Sequence, residues 1–157
     1  MPAPTSFTGI VKAGRSDSAG VLDLMGQLYD GEHMAFDSSR ALAALHGLLD
    51  HPERGSVFLL RHHGVTAGYA VVTRGYSLEF GGVFALLDEL FVAPAARGAG
   101  LGGALLRAVI EDCRAAGIAT LRLEVERANA HAQAVYRRFG FTPHDRNLMT
   151  CRVADAT

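Results

Sequence analysis

The stretch LFVAPAARGAGLGGALLRAVIEDCRAAG, residues 90–117, places a glycine-rich loop between a predicted strand and a predicted helix. Its central part, GAGLGG at residues 98–103, has the spacing G-x-G-x-x-G. The first amides of a helix lack partners within the helix and carry the positive end of its dipole, and glycines let an anion approach the backbone closely. The stretch therefore predicts a phosphate-binding loop, with Arg97 as a charged donor beside it. A glycine-rich turn that only permits close packing is the alternative.

The hydrophobic periodicity on either side of this loop predicts a mixed sheet with helices on it. Strands are predicted at residues 6–14, 56–62, 65–74, 76–80, 83–92 and 120–126, with a final pair in FTPHD and LMTCRV. Helices are predicted after Ser16-Asp17, from Asp37 to His51-Pro52, from Leu101 to Ala116 and after Asn129. A strand–helix–strand unit of the length of residues 90–125 requires parallel pairing, whereas the earlier strands form an antiparallel meander. The fold class is thus α/β (α+β) in one domain, residues 1–157.

Composition and charge exclude several classes of protein. The formal net charge is −1, so no global basic field attracts nucleic acid or an anionic membrane. The two cysteines, Cys113 and Cys151, lack metal-site spacing and form no disulfide framework, so no metal is expected. The N-terminal residues MPAPTSFTGI do not resemble a signal peptide, and no apolar run is long enough to span a membrane. A cytoplasmic location is therefore expected.

A dinucleotide-binding loop is the first alternative for the glycines. Such a loop requires an acidic residue about 20 positions further on to hold a ribose, and Glu124 and Glu126 are close to that place. The position of the loop in the chain argues against this interpretation. Such a loop normally opens its domain with several strand–helix units after it, whereas the residues after Glu126 suffice for one helix and two strands. The segment before the loop is an antiparallel hairpin.

The combined motifs resemble the GNAT superfamily of N-acetyltransferases. The segment Arg97-Gly98-Ala99-Gly100-Leu101-Gly102 matches the phosphate loop Q/R-x-x-G-x-G/A of that family at every fixed position. LFV followed by Pro94 resembles its fourth strand, and LEVERANAHAQAVYRRFGF, residues 123–141, resembles its fifth strand and the helix after it. The resemblance extends over nearly the whole chain. It is strongest between Leu86 and Phe141 and weak before residue 56.

The resemblance implies that the protein binds acetyl-CoA. The fourth and fifth strands, residues 86–92 and 121–125, would splay apart to admit the coenzyme. Backbone groups on the fourth strand would pair with the pantetheine arm, and the amides of the glycine loop would hold the pyrophosphate. The residues that the resemblance assigns to the coenzyme are Leu90, Phe91, Val92, Arg97, Gly98, Ala99, Gly100, Leu101, Gly102, Gly103, Asn129 and Tyr136.

Acetyl transfer to an amine needs a base, donors for the developing oxyanion and an acid for the leaving thiolate. Tyr136 suits the acid role, because a phenol with a pKa of about 10 keeps its proton at neutral pH. Backbone N–H groups on the splayed strand could stabilise the oxyanion. The base is open among Glu124, Asp88 and Glu89, or a chain of waters. Asp88 and Glu89 face opposite sides of a regular strand, although a bulge would change that.

The expected acceptor is a primary amine, as a small molecule, polyamine or peptide, that receives the acetyl group directly in a ternary complex. The carboxylates expected to attract it are Glu79, Asp88, Glu89, Glu124 and Glu126. The residues expected to line its pocket are Tyr29, Glu32, His33 and Phe36. The alternative function is an acyl-CoA-binding sensor without turnover. Family members are often dimers, which makes a homodimer one expected assembly.

Overall fold

The computed structural model describes residues 8–155 and contains one open five-stranded sheet of order β1-β2-β3-β4-β5. The strands are β1 (Gly9–Lys12), β2 (Gly55–His62), β3 (Val65–Ser77), β4 (Gly82–Val92) and β5 (Leu121–Leu123). The helices are α1 (Ser18–Gly31), α2 (Ser38–Leu49), α3 (Leu101–Ala115) and α4 (Ala130–Arg138). Neighbouring strands pair antiparallel except β4 and β5, which pair parallel. The predicted mixed sheet is confirmed.

The helices cover both faces of the sheet because the strands alternate their apolar side chains. On β2, Val57 and Leu59 pack with α1 and α2, whereas Phe58 packs with α3 on the opposite face. The α3 face of the core includes Leu105, Leu106, Val109 and Cys113, which recur at helical spacing. Two separate apolar cores therefore hold the sheet between them.

A β-bulge in β4 changes which face its side chains occupy. Val71 of β3 pairs with Glu89 and Val72 pairs with Leu87, so Asp88 is an extra residue without a partner on β3. Before the bulge, Leu87 packs in the α3 core, and after it Phe91 packs in the α1 and α2 core. These two positions would share one face of a regular strand. The bulge therefore rotates Glu89 to the face that α1 and α2 cover.

Strands β4 and β5 separate after a short pairing. Their pairs run only from Ala85 with Leu121 to Leu87 with Leu123. Beyond Leu87, β4 continues to Val92 with no partner on the β5 side among residues 8–155. The sheet is therefore split at this place, and the far half of β4 has an open edge.

Two predictions at strand ends are wrong. Residues 76–80 do not form a separate strand, because β3 continues to Ser77 and the chain turns at residues 78–81. The final pair of strands, in FTPHD and LMTCRV, is absent from the described part of the chain, and Leu148, Met149 and Val153 are exposed there. An alternating pattern specifies an extended backbone but supplies no partner. The neighbouring β5 has only three residues with which to pair.

We predict that Gly55→Ala strongly destabilises the fold. Gly55 has φ +152°, and an added Cβ would collide with the carbonyl oxygen of Val72 on β3. We expect the free energy of unfolding, measured by urea denaturation, to fall by about 2 kcal/mol or more. The control is Gly31→Ala, where nothing lies within 4 Å of the added atom. Its stability should stay within about 1 kcal/mol of the parent, and equal losses in both variants would contradict the prediction.

Candidate active site

Glu89 lies at the centre of the candidate site between two tyrosines. The hydroxyl of Tyr69 donates to Oε1 at 2.6 Å, and the hydroxyl of Tyr29 donates to Oε2 at 2.9 Å. Tyr69 comes from the middle of β3 and is fully buried, whereas Tyr29 comes from the last turn of α1. The bulge in β4 points the carboxylate between them. Both carboxylate oxygens are thus fixed by side chains from two different elements.

The surroundings of Glu89 shift the pKa values of all three groups. Burial raises the pKa of Glu89, and the hydrogen bonds from Tyr69 and Tyr29 offset this only in part. Burial and the bond to Glu89 raise the pKa of Tyr29 to about 12. The pKa of Tyr69 is also raised, by burial first and then by the charge of Glu89. Both phenols therefore stay protonated at neutral pH and act as donors.

Asp88 is the bulged residue, and its carboxylate differs from that of Glu89 in its hydrogen bonding. No side-chain hydrogen bond to Asp88 occurs within the described residues, and burial alone raises its pKa. Its negative charge also contributes to the raised pKa of Glu89. Asp88 is therefore a free carboxylate, held on a backbone irregularity beside a second carboxylate that is already engaged.

A small polar cavity, here called the acidic groove, brings most of the predicted catalytic residues together. Its volume is about 300 Å³. The residues that line it are Leu28, Tyr29, Glu32, Met34, Leu87, Asp88, Glu89, Leu90, Leu123, Glu124 and Tyr136. It includes Tyr136, Glu124 and Asp88, the three residues predicted to be catalytic. Burial and the charge of Glu32 raise the pKa of Tyr136, so this phenol too holds its proton. Glu124 is exposed at the rim.

A larger cavity, here called the apolar groove, lies between α2 and the sheet. Its volume is about 1010 Å³. The residues that line it are Met25, Tyr29, Ala35, Phe36, Asp37, Arg40, Ala41, Ala43, Ala44, Leu45, Gly47, Leu48, Arg54, Val71, Thr73, Arg74, Asp88 and Glu89. Of the predicted pocket residues, Phe36 lines this groove and Glu32 lines the acidic one, whereas His33 lines neither. The two grooves meet at Tyr29, Asp88 and Glu89.

The glycine loop leaves the start of α3 open. Gly98 and Gly100 have φ values of +88° and +72°, and nothing lies within 4 Å of a Cβ added to either. Gly100 is the N-cap of α3 and no side chain of the described residues caps it, so the first amides of the helix are available to an anion. Gly103 has a different role, because a Cβ there would lie 3.3 Å from Phe139.

The open edge of β4 leads toward this loop. Ala93 N donates to Ala67 O on β3 at 2.7 Å. Because backbone N–H and C=O groups alternate in direction along a strand, those of Phe91 point toward β3 and those of Leu90 and Val92 point toward the open side. The carbonyl of Val92 accepts a hydrogen bond from Arg97 Nε at 2.8 Å. The guanidinium of Arg97 also lies 5.3 Å from the ring centroid of Phe91. Arg97 is thus folded onto the end of β4.

Asn129 begins the last helix, as the sequence predicts. Its Oδ1 accepts a hydrogen bond from Ala132 N at 3.1 Å, which is the arrangement of an N-cap. The cap fixes the start of α4 and hence the position of Tyr136, about two turns further along the helix.

Two features of the site were not predicted from the sequence. Tyr69 gave no signal, because a single tyrosine in an apolar strand is indistinguishable from a core residue. The apolar groove with Arg40 and Arg54 was missed because it depends on how far α2 stands from the sheet. Within residues 8–155, no group of three or more histidines, cysteines or carboxylates is arranged to hold a metal ion. No helix of this range has the length and apolar character needed to cross a membrane.

Comparisons with known proteins agree with this geometry. The model of the acetyltransferase (GNAT) family matches residues 22–141. An uncharacterized N-acetyltransferase of Bacillus subtilis, YhfO, is 29% identical over 132 residues, which cover 84% of this chain and 88% of that protein. An integron cassette protein from the mobile metagenome of Cole Harbour Salt Marsh is 32% identical. Its structure has a TM-score of 0.84 and covers 94% of this chain and 91% of its own.

A more distant structure contains the coenzyme. It is an aminoglycoside N-acetyltransferase in complex with CoA, with a TM-score of 0.80 over 98% of this chain and 99% of its own. The two sequences are 20% identical, so this likeness shows the fold alone.

We predict that Glu89→Gln changes how stability depends on pH. The pKa of Glu89 is raised above its ordinary value of 4.5, so its contribution is greatest below pH 4.5 and is lost as the pH rises through the folded-state value. The stability of the parent minus that of Glu89→Gln should therefore fall between pH 4 and pH 7, measured by thermal or urea unfolding.

The control for this experiment is Glu53→Gln on an exposed loop. The pKa of Glu53 is lowered, by a backbone hydrogen bond first and then by His51, so the corresponding difference should not fall with pH. A flat difference for Glu89→Gln would show that its carboxylate is not held as described.

Proposed function

Because the chain belongs to the GNAT acetyltransferase family, we propose that it moves an acetyl group from acetyl-CoA to a primary amine by direct transfer in a ternary complex. The observation that carries the proposal is the acidic groove. It joins four carboxylates and two protonated phenols beside the open edge of β4. A single domain over residues 1–157, a homodimer and a cytoplasmic location stay predictions.

The residues beside the open edge fit the coenzyme. Leu90 directs its backbone N–H and C=O to the open side, and Val92 directs its N–H there, as a pantetheine arm requires. The uncapped start of α3 offers amides to a pyrophosphate, and the space around Gly98 and Gly100 lets it approach. Arg97 would add a cation at the entrance, and Asn129 would contact the arm from the start of α4. Acetyl-CoA, when bound, supplies an acetyl group activated as a thioester.

Glu89 and Asp88 have distinct proposed roles toward the amine. Glu89 keeps a fixed position through its two tyrosine donors and attracts the ammonium form of the acceptor. Asp88 has free oxygens and a raised pKa, so it takes the proton that the ammonium must lose before its nitrogen can form the new N–C bond. Glu124 faces the same groove from its rim and is the other candidate for this base.

Tyr136 is the proposed proton donor to the coenzyme sulfur as the C–S bond breaks. Its place in the acidic groove puts it on the side of α4, opposite the carboxylates of β4. Burial raises its pKa, so the proton is retained until a thiolate is there to receive it. Backbone N–H groups at the open edge of β4 are the proposed donors to the developing negative charge on the acetyl oxygen.

We predict that Gly102→Val abolishes tight binding of acetyl-CoA without unfolding the protein. A Cβ at Gly102 meets only Val92 Cγ2, at 3.7 Å, so the free protein has room for it. A pyrophosphate held against the first turn of α3 would collide with the added side chain. We expect the dissociation constant, measured by isothermal titration calorimetry, to rise at least tenfold, which is about 1.4 kcal/mol.

The matched control is Ala115→Val, an exposed residue at the other end of the same helix. It introduces a valine into the same helix at a cost in helix propensity below about 1 kcal/mol. Its affinity for acetyl-CoA should equal that of the parent. Unchanged affinity in Gly102→Val would exclude this loop as the coenzyme site.

We predict that Asp88→Asn and Tyr136→Phe each reduce kcat by about 100-fold, since a positioned acid or base contributes on that order. Coenzyme affinity should stay near the parent value in both. The acidic limb of the pH profile of kcat/KM should disappear in Asp88→Asn, measured by release of CoA.

Glu124→Gln is the comparison variant, because its carboxylate lines the same groove but follows β5 instead of lying on β4. A larger loss in Glu124→Gln than in Asp88→Asn would transfer the role of base to Glu124. Binding of acetyl-CoA without turnover of any amine by the parent would identify a sensor instead.

A further inference from the structure

The two grooves that meet at Glu89 have opposite electrostatic character. Glu32, Asp88, Glu89 and Glu124 line the acidic groove, and no lysine or arginine does. The apolar groove is lined mainly by aliphatic and aromatic side chains, and its wall carries Arg40 and Arg54 on the α2 side and Arg74 of β3. An acceptor whose amine reaches Asp88 would extend its remaining part along one of these two surfaces.

Arg40 and Arg54 lie at the apolar groove on the side of α2. Arg54 Nη1 donates to the carbonyl of Gly47 at 3.0 Å, which fixes one of its five donors and leaves the others. Arg40 is an exposed residue in the first turn of α2. Asp37 lines the same groove, but its Oδ1 caps α2 by accepting from Arg40 N at 3.1 Å. The guanidinium groups are therefore the cationic donors with unused hydrogen-bonding capacity there.

The volume of the apolar groove indicates an acceptor with a sizeable body. At about 1010 Å³ it is at the upper end of the range of about 300–1,000 Å³ for small-molecule pockets. The acidic groove, at about 300 Å³, has room for the amine and the reacting end of the coenzyme. The apolar groove is thus the part of the site that can distinguish one amine from another.

From this arrangement, and resting on the proposed acetyltransferase function, we propose that the acceptor is an amine joined through an apolar body to a remote carboxylate. The amine lies at Asp88 and Glu89, the body lies along α2, and the carboxylate meets Arg40 and Arg54. An α-amino acid does not suit the site, because its carboxylate would lie beside its amine, among the four carboxylates of the acidic groove. A polyamine or aminoglycoside does not suit it either, because its further cations would lie on apolar surface and beside arginines.

The test compares two isomers and two reference amines. The isomers are para-(aminomethyl)benzoate, whose carboxylate is remote from the amine, and phenylglycine, whose carboxylate is adjacent to it. Benzylamine lacks the carboxylate, and spermidine is a polycation. We expect kcat/KM for para-(aminomethyl)benzoate to exceed that of each of the other three about tenfold or more, because a charge-assisted hydrogen bond is gained. Equal or higher values for spermidine, benzylamine or phenylglycine would overturn the proposal.

Arg40→Gln isolates the role of the arginine. The ratio of kcat/KM for para-(aminomethyl)benzoate to that for benzylamine should fall about tenfold in this variant. Arg114→Gln is the matched control, since Arg114 is an exposed arginine of α3 that pairs with Glu111 and lines neither groove. The ratio should be unchanged in the control. An unchanged ratio in Arg40→Gln would also overturn the proposal.

The two proposals fail in different ways. If acetyl-CoA is never turned over with any amine, the acetyltransferase function fails. In that case the shift in melting temperature by para-(aminomethyl)benzoate, with and without Arg40→Gln, still tests the ligand. If benzylamine or spermidine is acetylated as well as para-(aminomethyl)benzoate, the acetyltransferase function stands and the proposed acceptor is wrong.

Discussion

The site depends on one extra residue in β4. Without the bulge at Asp88, the regular alternation of the strand would place Glu89 on the same face as Leu87, among the apolar side chains of the α3 core. The bulge moves it to the opposite face, where the hydroxyls of Tyr29 and Tyr69 reach its carboxylate. The same irregularity presents Asp88 to both grooves. A local change in register thus decides which side of the sheet carries negative charge.

The half-buried carboxylate of Glu89 explains the chemistry of the residues around it. A charge in the interior is tolerated when hydrogen bonds replace the lost water, and two phenols do so here. The replacement is incomplete, so the pKa of Glu89 stays raised. Together with Asp88 it forms a pair of carboxylates that gain from a neighbouring cation. In the proposed function, the ammonium group of the acceptor supplies that cation.

The sequence predicts the parts of this protein that rest on local patterns. The glycine loop, the helix capped by Asn129 and the alternating strands follow from residue types and spacing. The grouping of Tyr136, Glu124 and Asp88 was expected from the resemblance to the GNAT superfamily, and all three line the acidic groove. The hydrogen bond between Tyr69 and Glu89 could not be predicted, because the bulge at Asp88 reverses the face of β4 on which Glu89 lies. The strands expected after Phe141 failed because a pattern of alternation does not specify a neighbour.

The open edge of β4 has a consequence for behaviour in solution. Between Leu87 and Val92, one side of the strand has backbone groups that no strand of residues 8–155 pairs, and unpaired edges of this kind promote aggregation. Charged side chains flank this one, with Asp88 and Glu89 at one end and Arg97, bonded to the Val92 carbonyl, at the other. Charged side chains beside an unpaired edge disfavour the addition of a foreign strand. The edge that carries the proposed coenzyme site is therefore also the edge that needs protection against the addition of a foreign strand.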